Sequence, residues 1–201
     1  MIWSAALLMR KHGVEGTSFS EVIDRSGAPR GSIYHHFPGG KSQLIEEATR
    51  YAGDFIASGL VAALAEEDPV DAIRQFAAGW SALLRRSDFT AGCPVVAASL
   101  EGERTPGARD AAAAAFARWH EILAGALEPH VGDAARAGEL ATLAIASVEG
   151  AVLLVRATRS PEPLEQVSAA LERLLADEVG AQKQKAPPER GLPAQSDDST
   201  A

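Results

Sequence analysis

Residues 16–37 read GTSFSEVIDRSGAPRGSIYHHF, and the fold turns on this stretch. Ser18 and Glu21 have the spacing of a capping box, in which hydroxyl and carboxylate each satisfy a free amide at a helix start. A short helix over 18–26 follows, with Phe19, Val22 and Ile23 on its buried face. Gly27 makes the turn, and Pro29 suits the first position of a next helix over about 29–36, where its missing N–H costs nothing. Two short helices joined this tightly have the dimensions of a helix-turn-helix whose second member enters the major groove. Spacing alone equally fits a short surface helix in a bundle. With Ile33 and Phe37 turned inward, Arg30, Gly31, Ser32, Tyr34 and His35 point outward. Arginine can donate a bidentate pair to guanine, Ser, Tyr and His suit phosphates or base edges, and Gly31 lets the backbone come close. Thr17 and Ser18 at one helix start and Lys41 at the next are candidate phosphate contacts.

Outward from this core, apolar residues recur at helical period nearly throughout and no stretch alternates long enough for a sheet, so the chain is expected to be all-α. A first helix carries Ile2, Ala5, Ala6 and Met9 and stops at Gly13. After Pro38-Gly39-Gly40, a long helix keeps Leu44, Ile45, Ala48, Ala52, Phe55, Ile56 and Leu60 on one face. Further helices are expected over 69–86, 94–102, 106–128, 134–158 and 162–178, with breaks at Pro69, Gly92-Cys93-Pro94, Pro106-Gly107, Pro129 and Pro161/Pro163. The resulting division is a DNA-binding head over 1–45, a helical body over 46–180 and, from composition, a disordered tail over 181–201.

Charge is uneven. The whole chain carries −8, yet residues 1–50 hold six Lys/Arg against five Asp/Glu, leaving the acid in the body. A head of +1 approaches DNA before a body of −9 does. The lone cysteine, Cys93, forms no internal disulfide and no leader-like segment opens the sequence, which points to the cytoplasm. The apolar run Leu140–Val155 contains Glu149, falls short of the roughly 20 residues needed to span a bilayer, and reads as a buried helix rather than a membrane contact.

Residues 16–23 and 27–37 together resemble the signature of the tetracycline-repressor (TetR) family, the likeness extending over about residues 2–55. Pro38-Gly39-Gly40-Lys41 and Gly92-Cys93-Pro94-Val95 further resemble the branch containing the lincomycin-resistance repressors. That resemblance implies about nine helices, the first three binding double-stranded operator DNA, the last two forming a homodimer seam, and the middle ones enclosing a site for a small-molecule effector. Two departures stand out. The sequence opens at Met1-Ile2-Trp3 without the basic stretch that usually precedes the first helix, so either the start is assigned late or a phosphate-contacting arm is absent. Pro29 replaces a common serine, which leaves Arg30 and Lys41 to do more of the anchoring.

In the body, the helix over 134–158 is apolar nearly all round and must be covered on every side. Ala144, Ser147, Gly150 and Ala151 allow close approach, and Leu164, Val167, Leu171, Leu174 and Leu175 add a stripe, so two copies could form a four-helix bundle; burial inside a monomer is the alternative. Phe76, Trp80, Leu83, Phe116, Trp119 and Leu123, with His120 and Cys93 as polar groups, are candidate lining for a hydrophobic effector, although such spacing also serves plain packing. No metal-ligand spacing occurs, and no cofactor is implied. Gly40-Lys41-Ser42 lacks the upstream glycine and strand of a phosphate-binding loop. Cys93 with His120 has no third group to make a nucleophile, so an enzyme is not expected. Two other readings stay open: a thiol redox sensor at Cys93, where a helix start lowers a thiol pKa, and a helical protein-interaction adaptor.

Overall fold

The computed structural model describes residues 1–66, 68–101 and 105–185. Among them are nine helices and no strand: α1 (Ile2–His12), α2 (Phe19–Ser26), α3 (Ser32–His36), α4 (Gly40–Glu66), α5 (Pro69–Arg86), α6 (Pro94–Ser99), α7 (Pro106–Val131), α8 (Ala134–Thr158) and α9 (Glu162–Lys185). The all-α expectation and the helix count hold.

The first three helices form around a small set of buried side chains: Ala5 and Met9 of α1, Val22 of α2, Ile33 of α3, and Leu44 and Ile45 of α4 are all at most 1% exposed. The local signals act as their chemistry dictates. Ser18 Oγ accepts from the Glu21 amide at 3.2 Å while Glu21 Oε2 accepts from the Ser18 amide at 3.2 Å, and Gly27 ends α2 at φ 67°, ψ 15°, a left-handed conformation that glycine adopts without strain.

α4 runs from this head deep into the body, where it lies along α7. The contact is close because the facing residues are small. A Cβ on Gly53 would stand 2.6 Å from the Ala115 Cβ, and the buried Trp119 indole N–H donates to the Gly53 carbonyl at 3.0 Å. α8 packs between α7 and α9, and α9 also lies on α5. Ion pairs at the surface orient α9, Arg74 to Glu172 at 3.0 Å and Arg85 to Glu165 at 2.9 Å, while Leu164, Leu171 and Leu175 fill the core beneath it.

Several boundaries differ from expectation. Pro29 does not open α3: Pro29-Arg30-Gly31 make a turn in which both the amide and the hydroxyl of Ser32 donate to the Pro29 carbonyl, at 2.9 and 2.7 Å, and the helix begins only there. α6 stops at Ser99, short of 102. Pro129 does not break α7, because a proline this near a helix end removes a single hydrogen bond while Leu127 and Val131 stay buried, and Gly132 ends the helix instead at φ 72°. α8 has 25 residues, long and apolar enough by length and composition to cross a membrane, but it packs here against α7 and α9. α9 continues to Lys185, past the expected start of the tail at 181; the rest of that tail, 186–201, lies outside the described residues.

Candidate functional site

The fold presents α3 as an exposed ridge on a buried anchor. Ile33 is fully buried and Phe37 is 4% exposed, so α3 cannot rotate without opening the head's core. Tyr34, by contrast, is 68% exposed and leans edge-on against Phe19 at 5.7 Å, while Arg30, Gly31 and His35 are also exposed. Arg30 has no ion-pair partner among the described residues, which leaves its planar donor set free for a base edge or phosphate. His36, which the sequence reading did not select, is exposed as well, with its ring 5.5 Å from that of His35. Lys41 stands at the start of α4 with Nζ donating to the Glu15 carbonyl at 3.1 Å, so it ties α4 to the turn before α2 and holds a positive charge at that surface.

Thr17 is a correction. Its hydroxyl donates to the Gly13 carbonyl at 2.8 Å, its amide donates to Val14, and the residue is 1% exposed, so it closes the α1–α2 turn and offers no free group to a phosphate. Ser18 is exposed but engaged: Oγ donates to Glu21 Oε2 at 2.7 Å, and these bonds hold the Glu21 carboxyl below its ordinary range. The hydroxyl of Ser32 is likewise spent on Pro29.

In the body the expected lining divides between two cavities. Phe76, Trp80 and Leu83 line a cavity of about 530 Å³ together with Trp3, Arg10, Phe55 and Gly79, none of which was expected in a pocket from the sequence. Phe76, Trp119 and Leu123 line a second of about 40 Å³, too small for a drug-sized molecule, beside Val148 and Glu149. Phe116, His120 and Cys93 line neither. Phe116 packs edge-on against Trp119 at 5.1 Å, and His120 Nε2 lies 3.0 Å from the Gly138 carbonyl, joining α7 to α8.

Cys93 occupies the N-cap position of α6, but burial decides its chemistry. Loss of solvation and then the neighbouring Glu149 carboxylate push the thiol well above its ordinary range, so the thiolate a redox sensor needs is disfavoured. Glu149 is itself raised to about 7 by burial, partly offset by a hydrogen bond from Cys93, and its Oε2 has no partner.

Four of the expected seam residues need correction too. Ala144, Ala151, Leu164 and Leu171 are at most 5% exposed and pack within this chain; Ser147, Val167 and Leu174 are partly covered. The apolar residues α8 turns outward are Leu143, Leu153 and Leu154, 45%, 50% and 54% exposed.

Comparison with known proteins agrees with this architecture. Residues 2–48 match the bacterial regulatory proteins of the tetR family, and residues 69–170 match the C-terminal domain of LmrA/YxaF-like transcriptional regulators. An HTH-type transcriptional regulator of Mycobacterium tuberculosis is 40% identical over 188 residues, 89% of this chain and 94% of the relative. The HTH-type transcriptional regulator LmrA of Bacillus subtilis is 31% identical over 175 residues, covering 86% and 93%. Among solved structures, a TetR transcriptional regulator from Chloroflexus aurantiacus superposes with a TM-score of 0.71 at 29% identity, covering 87% of this chain and 91% of that one. The regulator CifR, solved in complex with 26-bp operator DNA, has the same fold at 22% identity, a TM-score of 0.67, and coverage of 87% and 93%. With an anchored, outward-facing α3 and matches in both its head and its body, the chain belongs to the TetR family, in the LmrA branch, and is a DNA-binding transcriptional regulator rather than an enzyme.

Proposed function

We propose that the protein is a cytoplasmic, ligand-responsive repressor that binds a pseudo-palindromic operator as a homodimer and is released by a small hydrophobic effector. The observation that carries this reading is the contrast on α3, where Ile33 is buried and the adjacent Tyr34 is 68% exposed: the helix is fixed at its back and free at its front. On this reading residues 1–45 form the DNA-reading head, residues 46–180 the body, and Arg30, Gly31, Tyr34 and His35 face the major groove with Lys41 near the phosphates. One short helix reads too few bases for an operator, and the exposed Leu143, Leu153 and Leu154 on α8 supply an apolar face through which a second copy would bring another α3 to a half-site about 34–36 Å away.

The test is an anisotropy titration of the full chain against its own upstream intergenic DNA and a scrambled control, across a salt series. Salt-sensitive preference for the native DNA with two chains per site is the expected result. Equal weak binding to both sequences would overturn the repressor reading and favour an adaptor.

A further inference from the structure

The 530 Å³ cavity lies between α1, α4 and α5 and thus has one wall in the head and two in the body. Gly59 on α4 and Gly79 on α5 line it without a side chain, and a Cβ at either would meet nothing within 4 Å. Its volume falls within the range of about 300–1,000 Å³ usual for small-molecule sites. The walls are aromatic and aliphatic, from Trp3, Phe55, Phe76 and Trp80. Arg10 supplies the charge at one end. Trp3, Ala6, Leu7 and Arg10 stand three, four and seven residues apart on one face of α1, so the apolar wall extends roughly 10 Å from the guanidinium.

That guanidinium is short of a partner. It has no ion pair among the described residues; burial lowers its pKa, the neighbouring Cys93 acts the other way, and the charges of Arg86 and Arg25 lower it further. A half-desolvated arginine among other cations gains from an anion with a planar oxygen pair more than from any neutral group.

We propose that this cavity is the effector site, that it takes an amphipathic organic anion with its charged group on Arg10 and its apolar body along α1, and that occupancy sets the head's position on the body. This rests on the ligand-responsive reading above. A molecule touching Trp3 and Arg10 on one side and Phe76 and Trp80 on the other has an affinity that depends on the angle between head and body, which is what coupling to DNA requires.

Two fluorescent probes with a common aromatic body test it on the full chain: anionic 8-anilinonaphthalene-1-sulfonate and neutral N-phenyl-1-naphthylamine. The anion should bind at least ~10-fold more tightly, as a charge-assisted hydrogen bond implies. Arg10→Met should bring the two affinities together while leaving the neutral probe bound, which shows the cavity intact. Gly79→Leu, which fills open space and favours helix, should weaken both probes by about tenfold or more. Equal affinities in the unmutated protein, a preference that survives Arg10→Met, or binding that survives Gly79→Leu would each overturn the site. Adding the anionic probe to the operator complex should release DNA from the unmutated protein and not from Gly79→Leu; release from both, or from neither, overturns the coupling. Failure to bind operator before any probe is added counts against the repressor reading instead, and the probe titrations still decide the site.

Discussion

The amide of Gly92 donates to the carbonyl of Arg10 at 2.7 Å, so the last turns of α1 are hung from the loop that enters α6. Arg156 of α8 adds a second tie, donating from Nη2 to the Lys11 carbonyl at 3.4 Å. A Cβ on Gly92 would stand 2.6 Å from Arg156 Nη1 and 3.1 Å from the Arg10 carbonyl; the arginine tip can swing away, but the backbone oxygen has little room to move. Gly92→Ala should therefore weaken both ties and cost about 1–2 kcal/mol, a drop in melting temperature of about 2–8 °C for a chain of this size. Arg156→Ala, which loses only the longer bond, should cost less. A thermal melt of Gly92→Ala coinciding with that of the unmutated protein would show that α1 is held some other way.

On the proposed reading, the head separates residues that read DNA from residues that build the reader. Arg30→Ala should lose about 1–3 kcal/mol at the operator and relax sequence choice there, whereas Lys41→Ala should weaken all DNA similarly and flatten the salt dependence by about one unit. Thr17→Val keeps shape and burial but deletes the bond to Gly13, so it should lower the melting temperature and reduce operator affinity only as far as the head loosens. Weakened DNA binding with an unchanged melt would return Thr17 to the phosphate-contact role.

What the sequence disclosed follows from how local each signal is. The Ser18–Glu21 box, the turn at Gly27 and the inward pair Ile33 and Phe37 depend on neighbours within a few residues, and all three are read correctly from spacing. Thr17 is not, because a threonine at a helix entry can serve a phosphate or a carbonyl four residues back, and only the closed turn decides. α8 misleads for another reason: a helix apolar all round has no preferred face, so the small residues Ala144 and Ala151 could be assigned to a partner when they in fact let α8 settle into its own core. The large cavity was only half legible: helical spacing picked out Phe76, Trp80 and Leu83 on α5, but that α1 brings Trp3 and Arg10 against them is a tertiary fact with no signal in local spacing.

The proposed dimer face on α8 gives a sharp test. Leu153→Glu and Leu154→Glu place charges on side chains that are 50% and 54% exposed, where they can stay solvated in a single chain, so the fold should survive while self-association is lost. Sedimentation velocity should show a shift from dimer to monomer, and operator affinity should fall with it. If both variants remain dimeric, the seam lies on another face.

Glu149 makes stability depend on pH in an unusual direction. Burial raises its carboxyl from the usual 4.5 to about 7, so between those values the folded protein holds a proton that the unfolded chain has released. Unfolding therefore gains favour as pH rises: the destabilisation is absent below about 4.5, grows through the interval, and is complete above about 7, where a shift of this size amounts to roughly 3 kcal/mol. The Cys93 thiol, which donates to this carboxyl, stays protonated throughout and does not compensate. Glu149→Gln cannot ionise, so the difference in melting temperature between it and the unmutated protein should widen in the variant's favour from pH 5.5 to pH 8. Parallel pH profiles for the two proteins would mean that the carboxyl reaches solvent or a cation when charged, and that its unpartnered oxygen carries no such cost.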